Sequence, residues 1–177
     1  MALFFDMDGT LTIYNVDATL ADYKTPGYYL RLAPTELAGY VNNLAVEETD
    51  EVYISSGCHP QSTAMVEKDQ WNDDYVPNVD RAHRLYVPYG ESKASFAEAV
   101  LQRPLTRDDI LVDDHTPNLI QWEEAGGTGI KWLNTINGLH GRFKGHRTGT
   151  VPGLESILMR RRRGQKFDRA VKLPACI

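Results

Sequence analysis

Short apolar runs alternate with segments of helical spacing along this chain. The apolar runs are closed by turn or polar residues, and they cover 3–5, 52–54, 85–87, 110–112 and, more weakly, 129–133. Their length and flanking residues favour buried strands over helix segments. Strands that alternate with helices are typical of a parallel sheet covered by helices. The pattern therefore predicts an α/β fold, a three-layer α/β/α Rossmann-like sandwich around a central parallel sheet.

Proline or a hydroxyl residue precedes most of the segments with helical spacing. Proline suits the first turn of a helix, and a serine or threonine side chain can cap the free amides there. We predict helices that begin near Pro34, Pro60, Ser92 and Thr116–Pro117, and a C-terminal helix over 154–159 followed by the basic run 160–163. Gly126 is expected to end the fourth helix in the left-handed conformation.

The stretch over about 13–33 departs from the alternation. It is too long for a tight strand-to-helix connection, and long insertions in compact domains are usually functional or disordered. We interpret it as a small cap over the carboxyl end of the first strand. Tyr14 is its candidate substrate contact because it lies nearest the following chemistry in sequence. The predicted organisation is a core with this cap over 1–150, then a C-terminal helix and basic tail over 151–177.

The composition bounds the class of protein. A net charge of −5 gives no general attraction to nucleic acid or membrane, so a nucleic-acid partner is not expected. Cys58 and Cys176 lie far apart and indicate neither a disulfide framework nor a zinc site. No apolar stretch reaches the roughly 20 residues of a membrane span, and no basic leader precedes the apolar start. We expect a cytoplasmic protein, and the pattern predicts no particular oligomeric state.

Carboxyl or hydroxyl side chains follow three of the predicted strands: Asp6 with Asp8, Ser55 with Ser56, and Asp113 with Asp114. Ligands of a doubly wound sheet bind outside the carboxyl ends of the strands, so these groups should converge on one crevice. Carboxylates in one crevice repel each other unless a cation is present, and such oxygen ligands suit Mg²⁺. Lys93, before a predicted helix, adds an anion contact. Together with helix N-termini, the set predicts a phosphate site.

Asp6 and Asp8 are two residues apart, which on an ideal strand places both side chains on the same face. Gly9 permits the chain to turn away sharply after them. One carboxylate can then attack phosphorus while the other exchanges a proton with the leaving oxygen.

A nine-residue stretch starts inside the first predicted strand: Phe4-Phe5-Asp6-Met7-Asp8-Gly9-Thr10-Leu11-Thr12. It resembles the first motif of the haloacid-dehalogenase-like (HAD) phosphatases. The other motifs of that family follow in the required order: Ser55 after a strand, Lys93 before a helix, and Asp113-Asp114 after the fourth strand. The resemblance covers roughly 1–146 and implies a magnesium-dependent phosphomonoesterase.

A narrower resemblance rests on three further stretches: 67–71 (Glu67-Lys68-Asp69-Gln70-Trp71), 87–93 and 111–119. They are similar to the 5′(3′)-deoxyribonucleotidase branch of the family, and most of all to its bacterial and phage members. This resemblance implies that the substrate is a small phosphate ester, a (deoxy)nucleoside monophosphate.

The family resemblance also implies roles for single residues. Asp6 would be the nucleophile that forms an aspartyl-phosphate, and Asp8 the general acid and then the general base. Mg²⁺ would be held by the Asp6 carboxylate, the main-chain carbonyl of Asp8 and Asp113, with Asp114 on the metal's waters.

Phosphate binding would fall to Ser55 and Lys93, which hold the non-bridging oxygens. The amide of Ser56 could assist, together with those of Met7 and Asp8. Which serine side chain faces the crevice depends on a one-residue shift along the strand. We favour Ser55 because it directly follows the apolar run.

Two other readings stay open from the sequence. The protein could be a phosphatase for another small ester or for a phosphorylated nucleic-acid end. A compact cap leaves the site relatively open, which would suit a larger substrate. It could also be a catalytically idle, metal-binding module that recruits a partner through its basic tail.

Overall fold

The computed structural model of this chain describes residues 1–13, 15–47, 49–59, 62–134, 136 and 143–164. A six-stranded sheet forms its centre, and every strand pair in it is parallel. The strands lie in the order β3-β2-β1-β4-β5-β6. Their bounds are β1 Ala2–Phe5, β2 Glu51–Cys58, β3 Arg84–Pro88, β4 Asp109–Asp113, β5 Thr128–Trp132 and β6 His146–Thr148. The predicted α/β architecture is confirmed.

Within the described ranges, five α-helices connect and cover the strands: α1 Glu36–Leu44, α2 Ala64–Tyr75, α3 Lys93–Leu101, α4 Thr116–Glu124 and α5 Val151–Arg162. Ser92 caps α3 as predicted, since its hydroxyl accepts a hydrogen bond from the Ser95 amide. Gly126 follows α4 with a φ of 102°, which confirms the left-handed ending. None of the helices in the described part of the chain is long and apolar enough to cross a bilayer.

Two details of the helix starts differ from the prediction. The helix expected near Pro60 begins at Ala64, and Pro60 itself lies outside the described residues. Thr116 is the first residue of α4 rather than its cap, and His115 takes the cap position. The Thr116 hydroxyl instead accepts a hydrogen bond from Lys131 Nζ at 2.7 Å, so it is engaged by the neighbouring strand.

The two faces of the sheet bury separate apolar clusters. Leu3 and Phe5 of β1 pack on one face with residues of α1, α2 and α5. Phe4, between them in sequence, packs on the other face with residues of α3 and α4, among them Trp122. Successive residues of a strand point to opposite faces, so this alternation makes three layers. Leu154 brings α5 into the first cluster, which makes the C-terminal helix part of the core.

The segment between β1 and α1 is the one for which the sequence predicts a small cap. Its described residues contain two single 3₁₀ turns, Asp22–Lys24 and Tyr29–Arg31. Helix α2 contacts this segment, since Trp71 Nε1 donates a hydrogen bond of 2.8 Å to the carbonyl of Leu32. The cap therefore lies beside the carboxyl end of the sheet through contacts with the helix that follows β2.

Candidate active site

Strand register places three polar residues at one level of the sheet. Phe5 pairs with Ile54 on one side and with Val112 on the other. The next residues along the three strands are Asp6, Ser55 and Asp113. All three therefore face the layer of α3 and α4, opposite to the side on which Phe5 is buried.

Helix α3 contributes a buried lysine to this face. Lys93, its first residue, lies with Nζ 2.5 Å from Asp6 Oδ1 and 2.7 Å from Asp113 Oδ2. Burial by itself lowers the pKa of Lys93, but the charges of Asp113 and Asp6 outweigh it and raise that pKa. Lys93 is consequently a fixed cation between the two carboxylates.

Burial and neighbouring carboxylates together oppose the ionisation of Asp6 more than one lysine favours it. Burial raises its pKa, Lys93 lowers it, and Asp113, Asp114 and Asp8 raise it again, so the pKa ends well above its usual value. A further cation at this point would restore the ionised form of the Asp6 carboxylate.

The buried carboxylates have the spacing of a metal site. One oxygen from each of Asp6, Asp113 and Asp114 lies within 4.8 Å of the others. Neighbouring groups fix the Asp113 side chain: the His115 amide and Asn118 Nδ2 donate to its two oxygens at 2.6 and 2.9 Å. Lys93 balances one of the three negative charges, so the donor set fits a hard divalent cation such as Mg²⁺.

Asp8 lies in a different environment from Asp6. Strand β1 ends at Phe5, and the chain then turns so that the amides of Leu11 and Thr12 both donate to the carbonyl of Met7. The predicted sharp turn occurs at Gly9, with a φ of 78°. Because Asp8 lies beyond the strand, the ideal-strand rule does not place it: its carboxylate meets a lysine of α2, in the opposite helical layer.

That lysine is Lys68, which is not among the predicted site residues. Its Nζ lies 2.5 Å from Asp8 Oδ2, and its side chain is 0% exposed. Its position in α2 carried a signal: Ala64, Lys68 and Trp71 follow the spacing i, i+4, i+7 of one helix face, and all three are buried. A lysine at an apolar position of that helix face indicates a buried ammonium, which requires a buried partner.

The two serines of β2 point to opposite faces. The Ser55 hydroxyl lies on the side of Asp6, buried and without a hydrogen-bond partner among the described residues. The Ser56 hydroxyl accepts a hydrogen bond of 2.9 Å from Lys68 Nζ on the other side. Ser55 is thus the hydroxyl that is available at the level of Asp6.

Asn134 is a second residue that sequence reasoning missed. Its Nδ2 donates to the carbonyl of Gly9 at 2.8 Å and to Asp114 Oδ2 at 2.7 Å. It therefore joins the turn after β1 to the loop after β4. Nothing in the local sequence marks it, because Gly9 lies 125 positions away.

The cap tyrosines pack largely on one another. Tyr28 meets both Tyr23 and Tyr29 in edge-to-face geometry, with ring centroids 5.2 and 5.0 Å apart, and Tyr28 and Tyr29 are buried. Tyr14, the candidate substrate contact, lies outside the described residues.

Solved structures share this architecture, although no family model and no curated protein matches the sequence. D,D-heptose 1,7-bisphosphate phosphatase from B. bronchiseptica, complexed with magnesium and phosphate, superposes with a TM-score of 0.67 at 12% identity, over 90% of this chain and 98% of that one. A HAD-superfamily hydrolase from Ehrlichia chaffeensis gives 0.59 at 9% identity, over 90% and 96%. An uncharacterized protein from Listeria monocytogenes serotype 4b gives 0.62 at 16% identity, over 90% and 98%. At such identities the likeness concerns the fold: this chain shares the three-layer α/β fold of these three proteins.

Proposed function

We propose that the protein is a magnesium-dependent phosphomonoesterase that hydrolyses (deoxy)nucleoside monophosphates through an aspartyl-phosphate on Asp6. The observation that carries the proposal is the position of the Asp6 carboxylate. It is buried at the carboxyl end of the central strand, in contact with Lys93 and beside a pair of carboxylates suited to a metal.

The first displacement uses Asp6 as the nucleophile. A bond forms between a carboxylate oxygen of Asp6 and phosphorus, and the ester bond from phosphorus to the alcohol oxygen breaks. Lys93 and the Ser55 hydroxyl lie on the same side of the sheet and would hold the non-bridging oxygens, where negative charge must be stabilised. Asp8 would give its proton to the departing alkoxide.

The second displacement releases phosphate and restores the enzyme. Asp8, now a carboxylate, takes a proton from a water molecule whose oxygen attacks phosphorus, and the bond to Asp6 breaks. Asp8 Oδ1 is buried and has no hydrogen-bond partner among the described residues, so no described group competes with a substrate for this oxygen.

Mg²⁺ would be held by the carboxylates of Asp6 and Asp113 and the main-chain carbonyl of Asp8, with Asp114 contacting its waters. When bound, it supplies positive charge that lets the anionic phosphate approach the carboxylates. The raised pKa of Asp6 supports a need for such charge.

The nucleotide part of the proposal rests on the three stretches that resemble the deoxyribonucleotidases. Each of them contributes a side chain to the site: Lys68 from 67–71, Lys93 from 87–93, and Asp113 from 111–119. Each stretch that carries the resemblance thus includes one side chain that lies at the proposed site. A cytoplasmic location for this activity stays a prediction.

A sugar phosphate is the second candidate substrate. The structural neighbour named above is a phosphatase of a heptose bisphosphate, and its chain is covered almost completely. A fold alone does not fix the substrate, so both classes need to be assayed.

The test is phosphate release from ribo- and deoxyribonucleoside 5′- and 3′-monophosphates and from sugar phosphates, with Mg²⁺ and with a chelator. We expect selective, metal-dependent turnover of nucleotides, reduced by about a thousandfold or more in Asp6→Asn. Turnover of sugar phosphates alone would replace the substrate and keep the mechanism. Turnover that survives Asp6→Asn would overturn the mechanism itself.

A further inference from the structure

We propose that Lys68 is a positioning residue for Asp8 and that the cap, through Tyr29 and Glu67, fixes Lys68 in this role. The inference deepens the proposed function and rests on it, because it concerns the proton transfer to the leaving group. It assigns the cap a part in orienting the acid, in addition to covering the site.

The ammonium of Lys68 is held in one orientation. It has three hydrogens, and three acceptors surround it: Asp8 Oδ2 at 2.5 Å, Gly57 O at 2.7 Å and Ser56 Oγ at 2.9 Å. With every donor used and the side chain buried, the ammonium has no alternative partner to turn to. One oxygen of Asp8 is therefore fixed, which leaves the other as the oxygen that can face a substrate.

The cap closes over the same lysine. Lys68 Nζ lies 4.5 Å from the centroid of the Tyr29 ring, in the range of a cation–π contact. Tyr29 is itself 5% exposed, so its ring shields the ammonium from water. Shielding also keeps water from competing with the Asp8 oxygen for the ammonium, so the contact between them is retained.

Glu67, the preceding residue of α2, ties the cap backbone to the helix. Its carboxylate accepts hydrogen bonds from the amides of Gly27 at 2.7 Å and Tyr29 at 3.1 Å, and from the Thr63 hydroxyl. Two successive residues of α2 thus make both contacts: Glu67 binds the cap backbone, and Lys68 binds Asp8. A displacement of the cap would move the ring that covers Lys68.

A purely structural role for Lys68 would predict a different outcome. A buried ion pair can contribute to stability or leave it unchanged, but then its loss would affect all substrates alike. A positioning role predicts a loss of activity that depends on the leaving group. p-Nitrophenolate can depart without being protonated, whereas an alkoxide needs a proton from the general acid.

The experiment compares p-nitrophenyl phosphate with phenyl phosphate and with the preferred alkyl substrate. The quantity is kcat/KM, which covers the steps up to release of the alcohol and leaves out hydrolysis of the aspartyl-phosphate. We expect Lys68→Met to lower kcat/KM by about 10- to 100-fold for the alkyl ester and by less than about threefold for p-nitrophenyl phosphate. Lys68→Gln, which keeps hydrogen-bond donors, guards against a folding defect in Lys68→Met.

Matched variants separate the parts of the argument. Lys144→Met removes an exposed lysine and should leave kcat/KM for all three esters unaffected. Tyr29→Phe keeps the ring face and should lose less activity on the alkyl ester than Tyr29→Leu. In an Asp8→Asn background, Lys68→Met should add no further loss, because its effect passes through the missing carboxylate.

The outcomes are distinct. Equal losses of kcat/KM on all esters, or full additivity with Asp8→Asn, would refute the positioning role and leave the phosphatase proposal intact. A parent protein that hydrolyses none of these esters would refute the phosphatase proposal, and the inference with it.

Discussion

Replacement of Gly9 by alanine tests the geometry of the site without removing any of its functional groups. Gly9 has a φ of 78°, and a Cβ there would lie 2.5 Å from Asp114 Oδ2 and 2.9 Å from Asn134 Nδ2. Two costs therefore combine: about 1–2 kcal/mol for a left-handed alanine and about 1–3 kcal/mol for overpacking. We expect the free energy of unfolding of Gly9→Ala to fall by about 2–5 kcal/mol, the sum of these two ranges.

Two other glycines provide matched controls. Gly90 has a φ of 96° but open space where a Cβ would stand, so Gly90→Ala should lose about 1–2 kcal/mol from the backbone alone. Gly39 lies exposed inside α1 with open space and no positive φ, so Gly39→Ala should stabilise by about 0.5–1 kcal/mol. The difference between Gly9→Ala and Gly90→Ala then isolates the collision with Asp114 and Asn134.

The assay is equilibrium denaturation by urea at fixed pH, with Mg²⁺ and with a chelator. Displacement of Asp114 should also weaken the gain of stability on adding Mg²⁺, an effect that Gly90→Ala should not share. If Gly9→Ala and Gly90→Ala lose the same free energy and respond alike to Mg²⁺, the close contact of the first turn with the loop after β4 is refuted.

Three further predictions concern the metal, the cap and the C-terminal helix. Saturating Mg²⁺ should raise the melting temperature of the parent by several degrees, because it binds the folded state, and Asp113→Asn should abolish that rise in a thermal scan. Burial opposes ionisation of Glu67, but hydrogen bonds from Thr63 and the cap amides outweigh it and lower its pKa from the usual 4.5. Ionised Glu67 therefore stabilises the fold above about pH 4.5, and this contribution is lost as the pH falls through the folded-state pKa. In a pH series, the free energy of unfolding should fall less towards acid pH for Glu67→Gln than for the parent. Leu154→Ala in α5 should cost about 2–5 kcal/mol in denaturant unfolding, since the residue is fully buried, whereas Leu20→Ala at 76% exposure should change little.

The central strands could be predicted because they are buried on both faces. A parallel sheet in that position requires continuous apolar runs, which stand out against turns and helix faces. The edge strand β6 could not be predicted for the opposite reason: its residues, His146, Arg147 and Thr148, are polar and two of them are half-buried. β6 pairs with β5 through backbone hydrogen bonds, and its side-chain pattern does not indicate this pairing.

Some residues of the candidate site could likewise be predicted from the strand pattern, and others could not. Asp6, Ser55 and Asp113 could be placed together because each follows a predicted apolar run, and parallel register brings the ends of these runs to one level. Ser55 nevertheless lies inside its strand, since β2 continues past this residue and pairs with β3. Asp8 could not, since it lies past the strand, where the turn decides its direction. Asn134 joins two loops that are far apart in sequence, and only the fold brings them together.

The placement of the two acidic side chains on different lysines has a physical consequence. If Asp6 and Asp8 shared one lysine, the two carboxylates would compete for the same ammonium, and the position of one would depend on the other. Instead Lys93 reaches Asp6 from the layer of α3, and Lys68 reaches Asp8 from the layer of α2. The chain after β1 thus lies between two cations that approach from opposite faces of the sheet. Such a division allows one carboxylate to serve as nucleophile while the other is oriented separately, which the proposed mechanism requires of this pair.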